Sequence, residues 1–198
     1  YCTVFLNISK EESMTAFTTE KIDVEPWFDM ELFMGVSQET RLGGDVMDRF
    51  MTLWKNWLPH LTVKGIDTGK IKYLLVALDE SVEQDVDKAW ESSPSNAFLY
   101  NALAQTMCMA AVHAVIPEVQ DAGCAPAPKP TATLREALEA EGIPYSNDKD
   151  PILSRRYAVV THYPFKGGCE ICVLQSNCPK GQGQMEATSV VLPGYEHP

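Results

Sequence analysis

From Phe98 to Ile116 the chain runs nineteen residues without a single Asp, Glu, Lys or Arg. A stretch apolar nearly all round has no face to give to water, so it predicts a central, fully packed helix, capped at Ser95 and stopped by Pro117. Everything else must then be arranged as layers around it. Within this stretch Met107-Cys108-Met109 reads as core, with Cys108 a buried free thiol and His113 a packed histidine in place of a ligand.

Other segments also carry helical patterns. Pro26 opens an aromatic and Met-rich stretch from Trp27 to Met34, with Gly35 after it. Asp45 caps a run whose Val46, Met47, Phe50, Met51, Trp54, Trp57 and Leu58 share one face until Pro59. A third helix is expected from Thr68 or Gly69, because Ile71, Leu74, Leu75, Leu78, Val82, Val86, Ala89 and Trp90 keep helical spacing. Thr133 and Glu136 suggest a capping box for a short helix ending near Gly142. Strands are expected at Tyr1 to Ile8, at Arg156 to Tyr163 and at Thr188 to Leu192. The last two would form an antiparallel pair. The expected fold is therefore mostly α, within the α+β class: a four-to-five-helix bundle with a small C-terminal antiparallel β-hairpin carrying a Cys-rich metal loop. Residues 1–120 form the bundle, 121–132 a Pro/Ala connector, and 133–198 a short helix plus the hairpin, docked as one domain.

The loop between those two strands holds the strongest chemical signal. Cys169, Cys172 and Cys178 follow Gly167-Gly168 in a C-x2-C-x5-C spacing. Glycines free the backbone ahead of the first pair, and a short loop returns the third thiol to the same centre, which is how close cysteines hold a metal or an iron–sulfur cluster. A fourth donor is needed. Cys124 in the connector is the first candidate and His162, six residues before Cys169, the second. A C-x-x-C redox dithiol is disfavoured, since such pairs open a helix after a strand. Zinc sites tend to use two separated ligand pairs, whereas one close triplet with one distant partner suits a [4Fe–4S] cluster, so zinc is the alternative.

With His162 placed first, the spacing H-x6-C-x2-C-x5-C resembles the C-x6-C-x2-C-x5-C cluster loop of the endonuclease III family of DNA glycosylases, with histidine at the first ligand position. The resemblance covers about twenty residues and implies cluster geometry alone. The family's helix-hairpin-helix signature and basic DNA face are absent from this sequence. A net charge of −11 opposes nucleic acid. The one basic stretch, residues 149–180, carries Lys149, Arg155, Arg156, Lys166 and Lys180 against Asp150 and Glu170, a net of +3 against −14 elsewhere. It surrounds the cysteines, where it would balance a thiolate centre.

These signals point to an iron–sulfur accessory protein or small electron-transfer subunit of a cytoplasmic redox system, its partner a redox enzyme or enzyme subunit. A zinc-stapled interaction module is the alternative; in size, acidity and helical content the chain is similar to the chaperones of molybdoenzyme assembly. A further alternative is an enzyme with an open-iron cluster. No nucleophile elbow, phosphate loop or metalloprotease motif appears, so no catalytic residue is assigned. The cysteines fit a reducing compartment, the first ten residues lack a leader's apolar core, and no membrane insertion is expected.

Overall fold

A computed structural model describes residues 16–147 and 151–178. The strands expected at residues 1–8 and 188–192 lie outside these residues. The fold is built on a four-stranded antiparallel sheet with strand order β1-β2-β3-β4: β1 Thr18–Lys21, β2 Leu61–Asp67, β3 Lys72–Leu78 and β4 Ala158–His162. Six α-helices accompany it: α1 Met30–Ser37, α2 Gly44–Trp57, α3 Glu80–Ser92, α4 Pro94–Val115, α5 Glu118–Ala122 and α6 Ala132–Ala140. The sheet overturns the expected helical bundle with a C-terminal hairpin. Arg156 to Tyr163 does supply a strand, β4, but it pairs with β3 in the middle of the chain.

The largest correction concerns the expected third helix. Its first half is β3, and α3 begins only after Asp79, whose carboxylate accepts the Ser81 N–H at 2.8 Å. The cause is burial on both faces of one strand. Leu74, Val76 and Leu78 point into a core shared with α1 to α4, whereas Tyr73, Leu75 and Ala77 point into a second core with α6, Ile143 and Tyr145. With both faces dry the strand has no polar alternation, and a short apolar run fits a helical period equally well. β2 carries no clear strand signal in sequence for a related reason: Lys64 and Gly65 interrupt its apolar residues. The Gly65 site is tight, since a Cβ there would lie 3.3 Å from the Glu20 side chain of neighbouring β1.

The apolar segment is a helix as expected, but it is not packed all round: Phe98, Gln105 and Ala114 are exposed. Ten residues of α4 are buried, and Met107, Leu103 and Ala111 have no exposed surface. Its cap is Ser93, with Pro94 in the first turn, rather than Ser95. By length and composition α4 is the one helix among the described residues able to cross a membrane, and half of its most apolar window is buried within the protein. α1 starts later than expected because Asp29 accepts the Leu32 N–H at 3.0 Å, which leaves Gly35 inside the helix. Thr131, not Thr133, caps α6. Beside α4, Phe28, Phe33, Phe50 and Trp54 form an aromatic nest with centroids 4.9 to 6.5 Å apart.

Leu74 sits at the centre of the sheet with no exposed surface. Leu74→Ala is expected to cost about 2–5 kcal/mol, through lost burial and the cavity left behind. Urea unfolding followed by circular dichroism would measure it, and a cost under 1 kcal/mol would contradict the two-sided burial of β3.

Candidate metal centre

Two segments far apart in sequence meet at the cysteines. The first is the connector. α5 ends at Gly123, whose φ of +68° is the left-handed conformation that lets the chain leave the helix, and Cys124 follows directly. The connector then lies against β4, where the buried Thr161 hydroxyl donates to Pro126 O at 2.9 Å. Ala125 packs on the larger core. The second segment is the loop after β4, entered through Gly167 and Gly168. Two single 3-10 turns, Cys169–Ile171 and Gln175–Asn177, set Cys172 and Cys178 just beyond their ends.

Main-chain bonds lock the segments together. Val173 N–H donates to Ala127 O at 3.0 Å, and Ala127 N–H donates to Cys172 Sγ at 3.4 Å. Cys124, Cys169, Cys172 and Cys178 border one cavity with Pro126, Gly168 and Gln175. Its atom-free space is ≈ 260 Å³, part of it open to solvent. The enclosed part takes about one water molecule. No group of three or more His, Cys, Asp or Glu side chains suited to a single metal ion occurs among the described residues. Cys169 is exposed and the other three are half-buried.

His162 is placed elsewhere. Alternation along β4 sends Thr161 toward the connector and His162 to the opposite face, where its ring stacks on Tyr73 at 5.5 Å. It does not line the cysteine cavity. Its Nδ1 is buried without a hydrogen-bond partner, and burial, helped by Lys166, holds its pKa below the ordinary histidine range. Cys108 is the core thiol expected. It donates to Tyr157 O at 3.5 Å, and burial pushes its pKa up to about 12.

The arginines of the basic stretch are engaged away from the cysteines. Arg156 forks onto Asp87 of α3, with one N–H···O contact at 2.7 Å, and Arg155 Nε lies 3.8 Å from Glu83 of the same helix. The Ala127 N–H is the contributor that residue types could not signal, because a main-chain donor is common to all residues but proline. Gly167 takes a φ of +138°, and a Cβ there would lie within 2.4 Å of the Glu170 carboxylate that accepts the Gly168 N–H. Only glycine fits. No protein-family model, no curated protein and no solved structure matches this chain.

Two measurements follow from this geometry. In metal-free native protein at pH 8, iodoacetamide is expected to label Cys169 first and to leave Cys108 unmodified until the chain unfolds; early labelling of Cys108 would contradict its place in the core. For His162 a lowered folded pKa means that the unfolded chain takes up its proton first. Stability contributed by the neutral ring is thus fully present above about pH 6.5 and is lost as pH falls below it. His162→Phe should flatten that part of the stability profile, and an unchanged slope would show that the ring charges freely in the folded state.

Proposed function

We propose that the chain binds a [4Fe–4S] cluster through Cys124, Cys169, Cys172 and Cys178 and serves as an accessory or electron-transfer subunit for a redox protein in a reducing compartment such as the cytoplasm. The observation that carries this reading is that four thiols, three from one loop and one from a connector 45 residues earlier, border a single cavity. The donor set has the right chemistry, since four thiolates are the usual ligands of a cubane cluster. Sequence spacing favours a cluster over zinc, since one close cysteine triplet with one distant cysteine suits a cluster, whereas zinc sites more often use two separated ligand pairs.

The surrounding residues suit the same role. The Ala127 N–H would bond the Cys172 thiolate, a contact that stabilises the more negative state and so tunes the potential of a thiolate centre. Exposure of Cys169 gives a short route to a partner's surface. A cluster held there supplies one-electron exchange. The net charge of −11 provides long-range steering toward a partner with a basic face.

Protein purified without oxygen should be brown, with about four iron and four sulfide atoms per chain. Replacing any of the four cysteines with serine should lower bound iron by about tenfold or more, while His162→Ala keeps it. A colourless protein with about one zinc per chain would replace this reading with the zinc-stapled interaction module. Full iron in Cys124→Ser would remove the connector from the site.

A further inference from the structure

The sheet has two edges, and they are finished differently. On β1 all four residues are exposed, and Glu20 and Lys21 place charges along the edge, a common guard against further pairing. Among the described residues the β4 edge has no such guard. The bonds Leu78 N–H to Tyr157 O and Tyr163 N–H to Lys72 O fix which residues of β4 face β3: Tyr157, Val159, Thr161 and Tyr163. Ala158, Val160 and His162 therefore turn their N–H and C=O groups away from the sheet. None of these groups has a partner among the described residues.

A groove of ≈ 710 Å³, open to solvent, runs along this edge and includes Ala158, Val159 and Val160. Ala127, Ile152, Leu153 and Leu174 border it, together with Arg155 and Arg156. Ile152 is 56% exposed and Leu174 39%, two of the few large apolar side chains in the described residues turned to water. Among the described residues no acidic side chain lines the groove. Arg156 is neutralised by Asp87, but Arg155 meets Glu83 only through Nε at 3.8 Å, and no hydrogen bond engages its terminal nitrogens among the described residues.

We propose that the β4 edge is a strand-addition site for an extended segment of a partner protein, with alternate apolar side chains in the groove and an acidic side chain on Arg155. Backbone pairing with Ala158, Val160 and His162 would supply affinity, and the groove would supply selectivity. Two copies of this chain suit the site less well, because each carries −11 and self-pairing would bring the arginines of both copies together. A bound segment would lie against Leu174 and Ala127, which belong to the two strips that carry the cysteines. The site does not depend on what the cysteines hold.

The test uses the full chain and a labelled, amidated hexapeptide of alternating valine and threonine ending in glutamate, read by fluorescence anisotropy and hydrogen exchange. Binding is expected, with slowed exchange at Ala158, Val160 and His162. The same peptide with alternate backbone N-methylation should bind about tenfold more weakly or worse, since its ladder donors are gone. Lysine in place of the glutamate should weaken binding, and Arg155→Glu should reverse that preference. Ala158→Pro removes an outward N–H without touching the bonds to β3, and should also lower affinity about tenfold. Equal binding of the N-methylated peptide would overturn the proposal. So would exchange at these residues that is already slow in the free chain, whether a second copy or the chain's own later residues cover the edge; gel filtration and a chain ending at residue 180 tell those apart. Iron content measured on the same sample judges the metal centre independently.

Discussion

Burial of β3 on both faces is the constraint on which the other elements depend. A seven-residue strand with six buried side chains needs a partner on each edge and a layer on each face. β2 and β4 supply the edges; α4 with its neighbours covers one face, and α6 with the Ile143 to Tyr145 segment covers the other. α4 is buried along its inner face, while Phe98, Gln105 and Ala114 remain exposed. The two most apolar segments bury each other, and their contact through Leu74, Val76 and Leu78 forms the larger core.

The site is a by-product of that packing. β4 leaves the sheet beside the connector because Thr161 bonds Pro126, and the connector stays there because Ala125 is held in the larger core. This alignment brings Cys124 to a loop that starts more than forty residues later. Short links between Ala127 and the Cys172 to Val173 segment then hold the two strips together. A thiolate centre built this way would tie the connector and the loop together.

The arginines next to the site show how local charge counts mislead. Residues 149–180 are basic in sequence, yet Arg155 and Arg156 point to acids on α3, which the chain lays down seventy residues earlier. For these two arginines, nearness to the cysteines in sequence does not set the partner in space. What remains is one under-used guanidinium at the mouth of the β4 groove, and this gives the edge its expected preference for an acidic residue.

The sequence by itself determined the features that depend on neighbours a few residues away. These are α4 as a long apolar helix, the near-complete outline of α2, β4 as a strand, and Cys108 as a core thiol. Helix caps were less legible, since Gly43, Ser93 and Thr131 stand where Asp45, Ser95 and Thr133 were expected: several nearby residues can cap, and packing chooses among them. Tertiary structure alone decided that Lys72–Leu78 is a strand, because two-sided burial erases the period by which strand and helix are told apart. It also decided that His162 turns to Tyr73 while Thr161 meets the connector, since a period of two gives the alternation but not which face a distant segment will cover. The Ala127 donor and the β4 edge groups that find no partner among the described residues belong to the backbone, and side-chain identity carries no record of either.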